Sequence, residues 1–418
     1  MKARLKYVWE TVTASYWFVP TLMTAGSFCL WLAMIWLEEP IKDGIVQRFG
    51  WIFGGSPEGA REVLSALAGS TITVTGVVFS VTIVALTVAS AQLGPRLLRH
   101  FMNDKGNQIV LGAFISTFLF CLLVLRSVRG TEDTIYVPHI SVTIGVILAV
   151  GSVGVFIYFI HHVASLIQAP RMIATVAREL DIVLKSIFEK QRDEGVDDEA
   201  GSVLYNLPEV FDAELTPIVH TVSGYVETID EQGIIETATR HDLLVRLMVR
   251  PGDFVLAGST VAKVFPGQGL DEGVAGEISG SVIVGQQRTP AEDITYLLDE
   301  LTEIAIRSLS PSVNDPFTAM TCIDYLSVAL VKIGNLNAMS IYKRDKEGKV
   351  RIIRETVDFK QAVDRTLGHI REYASSPTVL VHLLDTLRAI ALLVPSESAR
   401  RELLRQAKMI KRKGKNKV

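Results

Sequence analysis

The side chains best suited to bind a ligand or an ion lie between residues 288 and 315. They are two guanidinium groups, two carboxylates and one amide, on Arg288, Asp293, Arg307, Asn314 and Asp315. Guanidinium groups bind carboxylates and phosphates, and carboxylates bind cations. If these five residues converge, they form a site for a small ligand or a partner. The structural alternative is that Arg288 pairs with Asp293 across a helix start and that Asp315 caps a helix.

A second set of residues has hydroxyl groups or very small side chains. Its members recur at steps of four, three, four and seven, and they are Gly69, Thr73, Gly76, Ser80 and Thr87. Such spacing places all of them on one face of a helix. Small and hydroxyl-bearing residues let transmembrane helices pack closely. Alternatively, the hydroxyls line a pore or substrate path.

Sequence signatures of catalysis or metal binding are absent. The chain contains no G-x-x-x-x-G-K-[ST], G-x-G-x-x-G, H-E-x-x-H or G-x-S-x-G motif. Its three cysteines have no Cys or His neighbour at metal-ligand spacing. We therefore predict no metal site, no cofactor and no enzymatic activity.

The helices that position the hydroxyl face are indicated by where charged residues stop. No Asp, Glu, Lys or Arg occurs in residues 11–37, 63–95, 106–125 or 134–170, and later charge-free runs are at most 12 residues long. A helix needs ~20 apolar residues to cross a bilayer. We predict four transmembrane helices near 16–37, 65–90, 107–126 and 140–163. The first run is too long for a signal peptide, so we expect an uncleaved anchor.

Basic residues near these spans predict their orientation. They follow the second and fourth spans and precede the first, at Lys2, Arg4, Lys6, Arg96, Arg99, Lys105, Arg171 and Arg178. By the positive-inside rule, both termini are cytoplasmic. The uncharged span cores argue against a proton relay or a voltage sensor.

The remaining residues predict a cytoplasmic α+β region. We divide the chain into a four-helix transmembrane domain (1–165), a membrane-exit helix with an acidic linker (166–200), a small β-rich module (201–288), a helical domain (289–407) and a basic tail (408–418). Residues 216–286 are rich in Val, Ile, Thr and Gly with alternating stretches, which is typical of a small barrel or sandwich. Thr289-Pro290-Ala291-Glu292 is a capping box predicted to open a helix that buries Ile294, Leu297, Leu298, Leu301, Ile304 and Ala305.

Residues 224–226 and 249–258 resemble part of a barrel-sandwich hybrid, the lipoyl-like fold. That resemblance implies a cofactor-carrying lysine at a hairpin tip. Lys263 instead lies in the strand-like run 261–264, so we predict no lipoyl or biotin attachment.

The carboxyl-terminal tail predicts an interaction with anionic lipid. Six of its 11 residues are basic: Lys408, Lys411, Arg412, Lys413, Lys415 and Lys417. Anionic lipid attracts such cytoplasmic segments. No aromatic residue is interleaved to stack bases, so we predict no nucleic-acid partner. The alternative is a solvated tail.

The runs Arg288-Thr289 … Asp293 and Ser310-Pro311 … Asn314-Asp315-Pro316-Phe317-Thr318-Ala319 resemble the signature of a bacterial membrane-protein family, domain of unknown function 2254. The four spans and the central Ser223-Gly224-Tyr225 extend the resemblance over most of the chain. It implies a location in the bacterial inner membrane and the architecture above, and no chemistry.

Two functions fit these observations best, and a third, a membrane enzyme that uses Arg288, Asp293 and Asp315, has no specific support in the sequence. The first is a homo-oligomeric ion channel or transporter whose second span lines the path and whose cytoplasmic region gates it or senses a small ion or ligand. Three or more subunits are needed, because four spans from one chain hardly enclose a pore. The alternative is a membrane-anchored scaffold or signalling adaptor that binds a partner through the helical corner near Asn314.

Overall fold

The structure is a computed structural model that divides into two compact units, Met1–Gln168 and Ala169–Val418. It describes residues 13, 15–38, 52–94, 98–102, 104–131, 134–166, 168–193, 215–267, 270–289, 293–335, 341–354 and 357–415.

Helices dominate the first unit. They are α1 (Phe18–Glu38), α2 (Pro57–Leu93), α3 (Leu98–Met102), α4 (Lys105–Ser127) and α5 (His139–Leu166), with a hairpin of β1 (Arg129–Thr131) and β2 (Thr134–Tyr136) before α5. The four long helices cover the four predicted spans. In the described part of the chain, five helices are long and apolar enough to cross a membrane, and the fifth, Pro316–Asn335, lies in the second unit. A count of four by this criterion is therefore not confirmed.

Helix α4 is the centre of the first unit, because it packs against α1, α2 and α5. Its fully buried Phe120 contacts a cluster that includes Leu64 of α2 and Val142 of α5. A Cβ added at Gly112 would lie 3.2 Å from Pro20 Cα and 2.6 Å from Met23 Sδ, so the glycine helps α1 to approach α4 closely. The core thus depends on apolar packing and a small residue at the closest crossing.

Carboxylates fix the ends of two of these helices. Glu38, at the end of α1, accepts hydrogen bonds from the Ser141 amide at 2.9 Å and the Ser141 hydroxyl at 2.7 Å, and so caps the start of α5. Asp104 accepts from the Asn107 amide at 2.8 Å and lies 2.7 Å from His162 Nε2. Glu38 directly follows the charge-free stretch 11–37, and Asp104 lies just before the stretch 106–125.

The second unit contains two sheets and a group of helices. Its strands are β3 (Thr216–Val219), β4 (Gly224–Ile229), β5 (Leu244–Leu247), β6 (Phe254–Val255), β7 (Thr260–Phe265), β8 (Val282–Gly285), β9 (Ile341–Arg344) and β10 (Val350–Arg354). Its helices are α6 (Ala169–Asp193), α7 (Glu231–Arg240), α8 (Glu272–Gly280), α9 (Ile294–Ser308), α10 (Pro316–Asn335), α11 (Phe359–Val363), α12 (His369–Tyr373), α13 (Pro377–Leu393) and α14 (Glu397–Lys415), with a π-helical turn, Asp364–Gly368, between α11 and α12.

The larger sheet has the order β3-β7-β5-β10-β9, in which only β5 and β10 pair in parallel, and the smaller one has the order β6-β4-β8. The three central strands of the larger sheet share one buried row of side chains, formed by Val264, Val245 and Ile352. Barrel or sandwich closure is not confirmed, and β9 and β10 come from 341–354, beyond the predicted β-rich range. Lys263 lies inside β7.

Helix α9 confirms the predicted apolar face and corrects the predicted helix start. All six residues predicted to face the core are buried. The helix begins at Ile294 with Asp293 as its N-cap, because the Asp293 side chain accepts a hydrogen bond from the Tyr296 amide. The capping-box prediction at Thr289 is therefore wrong, and Pro290, Ala291 and Glu292 lie outside the described residues. The predicted tail also differs, since α14 continues to Lys415.

Candidate functional site

Arg288 is the centre of a buried ionic cluster before α9. Its Nε donates to Asp293 Oδ2 at 2.8 Å, and its Nη1 donates to Asp299 Oδ2 at 2.9 Å. Its Nη2 also donates to Thr295 Oγ1 at 2.7 Å. The Arg288 side chain is 13% exposed, so these charge-assisted bonds form largely out of water. The predicted pairing of Arg288 with Asp293 is confirmed.

Asp293 joins this cluster to the start of α9 and to the turn before β6. It is 1% exposed, and its Oδ1 accepts hydrogen bonds from the Tyr296 amide at 3.0 Å and the Thr295 hydroxyl at 2.6 Å. Its Oδ2 lies so close to Gly252 that a Cβ there would collide with it. Gly252 also has a φ of +93°, which other residues rarely adopt.

Asp299 extends the cluster to the π-helical turn after α11. It accepts hydrogen bonds from Arg288 and from Arg365, whose Nη2 lies 2.7 Å from Asp299 Oδ2. Burial raises the pKa of Asp299, but the hydrogen bonds from Arg365 and Arg288 outweigh burial and hold that pKa below its usual range. The two carboxylates and two guanidinium groups balance one another. The cluster therefore joins a β-turn, α9 and the α11–α12 segment, which is a structural role.

The other three candidate residues lie at the opposite end of α9. Arg307 Nη2 lies 3.1 Å from Glu303 Oε1, one helical turn earlier. Asn314 is exposed and has a φ of +46°, a left-handed conformation that asparagine tolerates well. Asp315 accepts hydrogen bonds from the Phe317 and Thr318 amides, both at 3.1 Å, and so caps α10.

The five predicted residues therefore do not converge on one ligand. Helix α9 has 15 residues, so its ends are ~22 Å apart at 1.5 Å per residue. Sequence reasoning missed Gly252, Asp299 and Arg365, which complete the cluster at Arg288. Arg365 and Gly252 are distant in sequence, and no local pattern signals their contact. In the part of the chain that the structure describes, no group of three or more His, Cys, Asp or Glu residues could hold a metal ion.

The hydroxyl and glycine residues of α2 form one outward surface, which we call the hydroxyl face. All five members, Gly69, Thr73, Gly76, Ser80 and Thr87, are exposed. A Cβ added at either glycine would meet nothing within 4 Å among the described residues. The opposite side of α2 packs inside the unit through Leu64, Ala68, Thr71, Thr75 and Val78, all of which are buried.

The hydroxyls of this face bond to their own helix. Thr73 Oγ1 donates to the Gly69 carbonyl and Ser80 Oγ to the Gly76 carbonyl, both at 2.8 Å. Thr87 Oγ1 donates to the Ile83 carbonyl at 2.9 Å. Their protons are thus satisfied without a neighbouring helix, while their oxygen lone pairs stay available.

Comparison with known proteins adds the family. A family described as "Predicted membrane protein (DUF2254)" matches residues 13–389, which include the hydroxyl face and the ends of α9. The chain belongs to the DUF2254 family. This DUF2254 chain is 30% identical over 402 residues to each of two uncharacterised proteins, Rv1290c of Mycobacterium tuberculosis and Mb1321c of Mycobacterium bovis, which covers 94% of the chain and 74% of theirs. No solved structure matches it.

The family description and the apolar helices agree on location. They indicate that this DUF2254 chain is a membrane protein with several membrane-crossing helices. The family resemblance predicted from residues 288–319 is confirmed.

Proposed function

We propose that this chain is a homo-oligomeric channel or transporter of the bacterial inner membrane, and that the hydroxyl face of α2 lines its path. One observation carries the proposal. The face of α2 that carries three hydroxyls and two glycines is exposed and points away from the helices that α2 packs against in its own unit. Packing within that unit therefore does not account for the five residues of the face.

The chemistry of the face suits a path for water or a small ion. Lone pairs of back-bonded hydroxyls can contact a partly dehydrated ion, and the two glycines keep the passage wide. One outward helix face cannot enclose a path, so copies of α2 from three or more subunits surround it. Because α2 has 37 residues, it is ~55 Å long and exceeds the ~30 Å hydrocarbon core.

In this proposal α1, α2, α4 and α5 span the membrane, and both termini are cytoplasmic. Helix α10 stays outside the bilayer although its composition is apolar. It carries Asp324, which lies 2.7 Å from His382 Nε2 of α13, and Lys332, which pairs with Asp181 of α6. These charges form contacts within the second unit. We assign the second unit to gating or ligand sensing.

The double variant Thr73→Leu with Ser80→Leu is expected to abolish conduction. Two branched side chains per subunit would fill the path and remove the oxygens that line it. The measurement is ion flux from proteoliposomes or current across a planar bilayer, with common monovalent ions. We expect a loss of at least about tenfold, since even ~1.4 kcal/mol of added barrier has that effect.

Two control variants make this test specific. Thr73→Ser with Ser80→Thr keeps both hydroxyls and should conduct normally. Val81→Leu with Val88→Leu adds bulk to the exposed flank of the same helix and should also conduct. Unchanged current in the leucine pair at 73 and 80, or a monomer or dimer by mass photometry in nanodiscs, would contradict the proposal.

A scaffold or adaptor role is the second candidate, and it is favoured by the apolar surface beside the α9–α10 corner. Phe317 is 74% exposed and Val313 is 41% exposed, on either side of Asn314. An aromatic ring this exposed is a common anchor for a partner protein.

Phe317→Ser with Asn314→Gly is expected to remove a crosslinked partner while the protein stays folded. Asp315 is left unchanged, because its replacement would remove the cap of α10. A lost partner could then reflect unfolding of that helix instead of a lost contact. The measurement is in-cell crosslinking followed by mass spectrometry, with Val328→Ser on the same helix as the matched exposed control. Retention of every partner by the double variant would exclude this role for the corner.

A further inference from the structure

The last helix, α14, is strongly two-sided. Its inner side buries Ala399, Leu403, Gln406 and Ile410 against the rest of the second unit. Its outer side carries six exposed basic residues: Arg400, Arg401, Arg405, Lys408, Lys411 and Arg412. We call this outer side the basic face. Three of these residues precede the basic tail (408–418) that the sequence predicts.

Part of the charge on the basic face is not neutralised within the chain. Arg405 pairs with Glu402 and Asp364, and Arg401 lies 3.8 Å from Glu397. In the described part of the chain, no carboxylate lies within ion-pair distance of Lys408, Lys411 or Arg412. These three residues follow one another at helical spacing, so their positive potential is concentrated on one surface.

Exposed leucines accompany this charge. Leu404 is 58% exposed within the basic face, between Arg400 and Lys408 along the helix. Leu392 and Leu393, at the end of α13, are 83% and 61% exposed. Arg400 Nε donates to the Val394 carbonyl at 3.1 Å, which holds the first turn of α14 against that end of α13. The end of α13, which carries Leu392 and Leu393, therefore lies beside the first turn of α14.

We propose that the basic face of α14, with Leu392, Leu393 and Leu404, docks on an anionic lipid surface. Lysine and arginine on a helix surface with protruding leucines match the chemistry of an interfacial membrane contact. The basic side chains bind phosphate headgroups, and the leucines enter the boundary below them. A purely electrostatic partner, such as a soluble acidic protein, leaves the leucines unexplained.

The occupant follows from charge and from where the chain resides. The cytoplasmic leaflet is anionic and attracts cytoplasmic basic segments. That the basic face docks on the cytoplasmic leaflet rests on the orientation given under the proposed function. Its binding to anionic lipid does not require that the protein conducts ions. Docking would couple the second unit to the lipid composition around the protein.

The test uses the full chain, reconstituted in nanodiscs, with a fluorophore at the leucine of the basic face. A Leu404→Cys variant in a Cys29→Ser background carries an environment-sensitive nitrobenzoxadiazole label. Cys121 and Cys322 are buried and can remain. Discs contain phosphatidylcholine alone or with phosphatidylglycerol, and brominated acyl chains report whether the label enters the bilayer.

The expected result is quenching and a blue shift in the anionic discs only, with loss in high salt. The triple variant Lys408→Glu, Lys411→Glu and Arg412→Glu should weaken this association on the order of 100-fold. A matched triple variant, Arg344→Glu, Lys346→Glu and Lys360→Glu, reverses exposed charges elsewhere in the second unit and should leave it unchanged.

Three outcomes would overturn the proposal. They are equal quenching in neutral and anionic discs, no quenching in either, and full quenching in the variant reversed at 408, 411 and 412. A blue shift without bromine quenching would assign the face to a protein contact instead. Failure of the channel proposal would appear as absent flux while lipid quenching persists, so the two outcomes can be separated.

Discussion

Replacing Arg288 by alanine is expected to destabilise the protein by about 3–5 kcal/mol, as for other buried ion pairs that lose one partner. The variant leaves Asp293, which is 1% exposed, without its guanidinium neighbour, and removes the Arg288 guanidinium from Asp299 as well. The turn at Gly252 and the start of α9 lose their common contact. The measurement is the denaturation midpoint of the detergent-purified protein, with its apparent Tm as a second observable.

The chain offers a matched control for this variant at the other end of α9. Arg307 pairs with Glu303 on a partly exposed surface, where such i,i+4 pairs contribute only about 0.3–0.5 kcal/mol. Arg307→Ala should therefore be nearly neutral. Similar losses of stability in the two variants would show that the buried cluster has no special role.

Gly252→Ala is expected to have the second-largest effect. Its φ of +93° penalises any side chain, by roughly 1–2 kcal/mol. The added Cβ also collides with the Asp293 carboxylate, so the N-cap of α9 and the contact with Arg288 must shift. We expect a total loss of at least ~3 kcal/mol, because the strain adds to the disturbance of a buried ion pair.

Gly258→Ala separates these two contributions. Gly258 has a similar φ of +86°, but a Cβ there would meet nothing within 4 Å in the described residues. Its substitution should cost only the strain of the backbone conformation. The difference between the denaturation midpoints of the two alanine variants measures the effect of the collision with Asp293. Equal losses of stability at 252 and 258 would show that this contact does not contribute.

Local signals predicted those features that depend on neighbouring residues. The charge-free stretches located α1, α2, α4 and α5, since membrane helices are specified by their own composition. Helical spacing predicted the buried face of α9, and Asp315-Pro316 predicted the cap of α10. The pair Arg288–Asp293 was also accessible, because its members are five residues apart.

Features that depend on distant segments were not accessible in this way. The ion pair of Asp299 with Arg365 joins positions 66 residues apart. Strands β9 and β10 belong to the larger sheet, although α9 and α10 separate them in sequence from the strands before them. Convergence of Arg288 with Asp315 was a reasonable expectation from residue type, but the length of a single helix excluded it. Periodicity specifies the face of an element, whereas its partners are set by the fold.

The parallel pairing of β5 with β10 has a consequence for biosynthesis. Residue 245 of β5 pairs with residue 352 of β10, so the ribosome must add about 107 more residues before β5 gains this neighbour, which takes roughly 5–20 s at typical elongation rates. During that interval an apolar strand edge is open to other nascent chains. Helix α7 emerges before β5 and contacts both β5 and β10 in the folded protein, so it is already in place beside β5 until the chain returns to close the sheet.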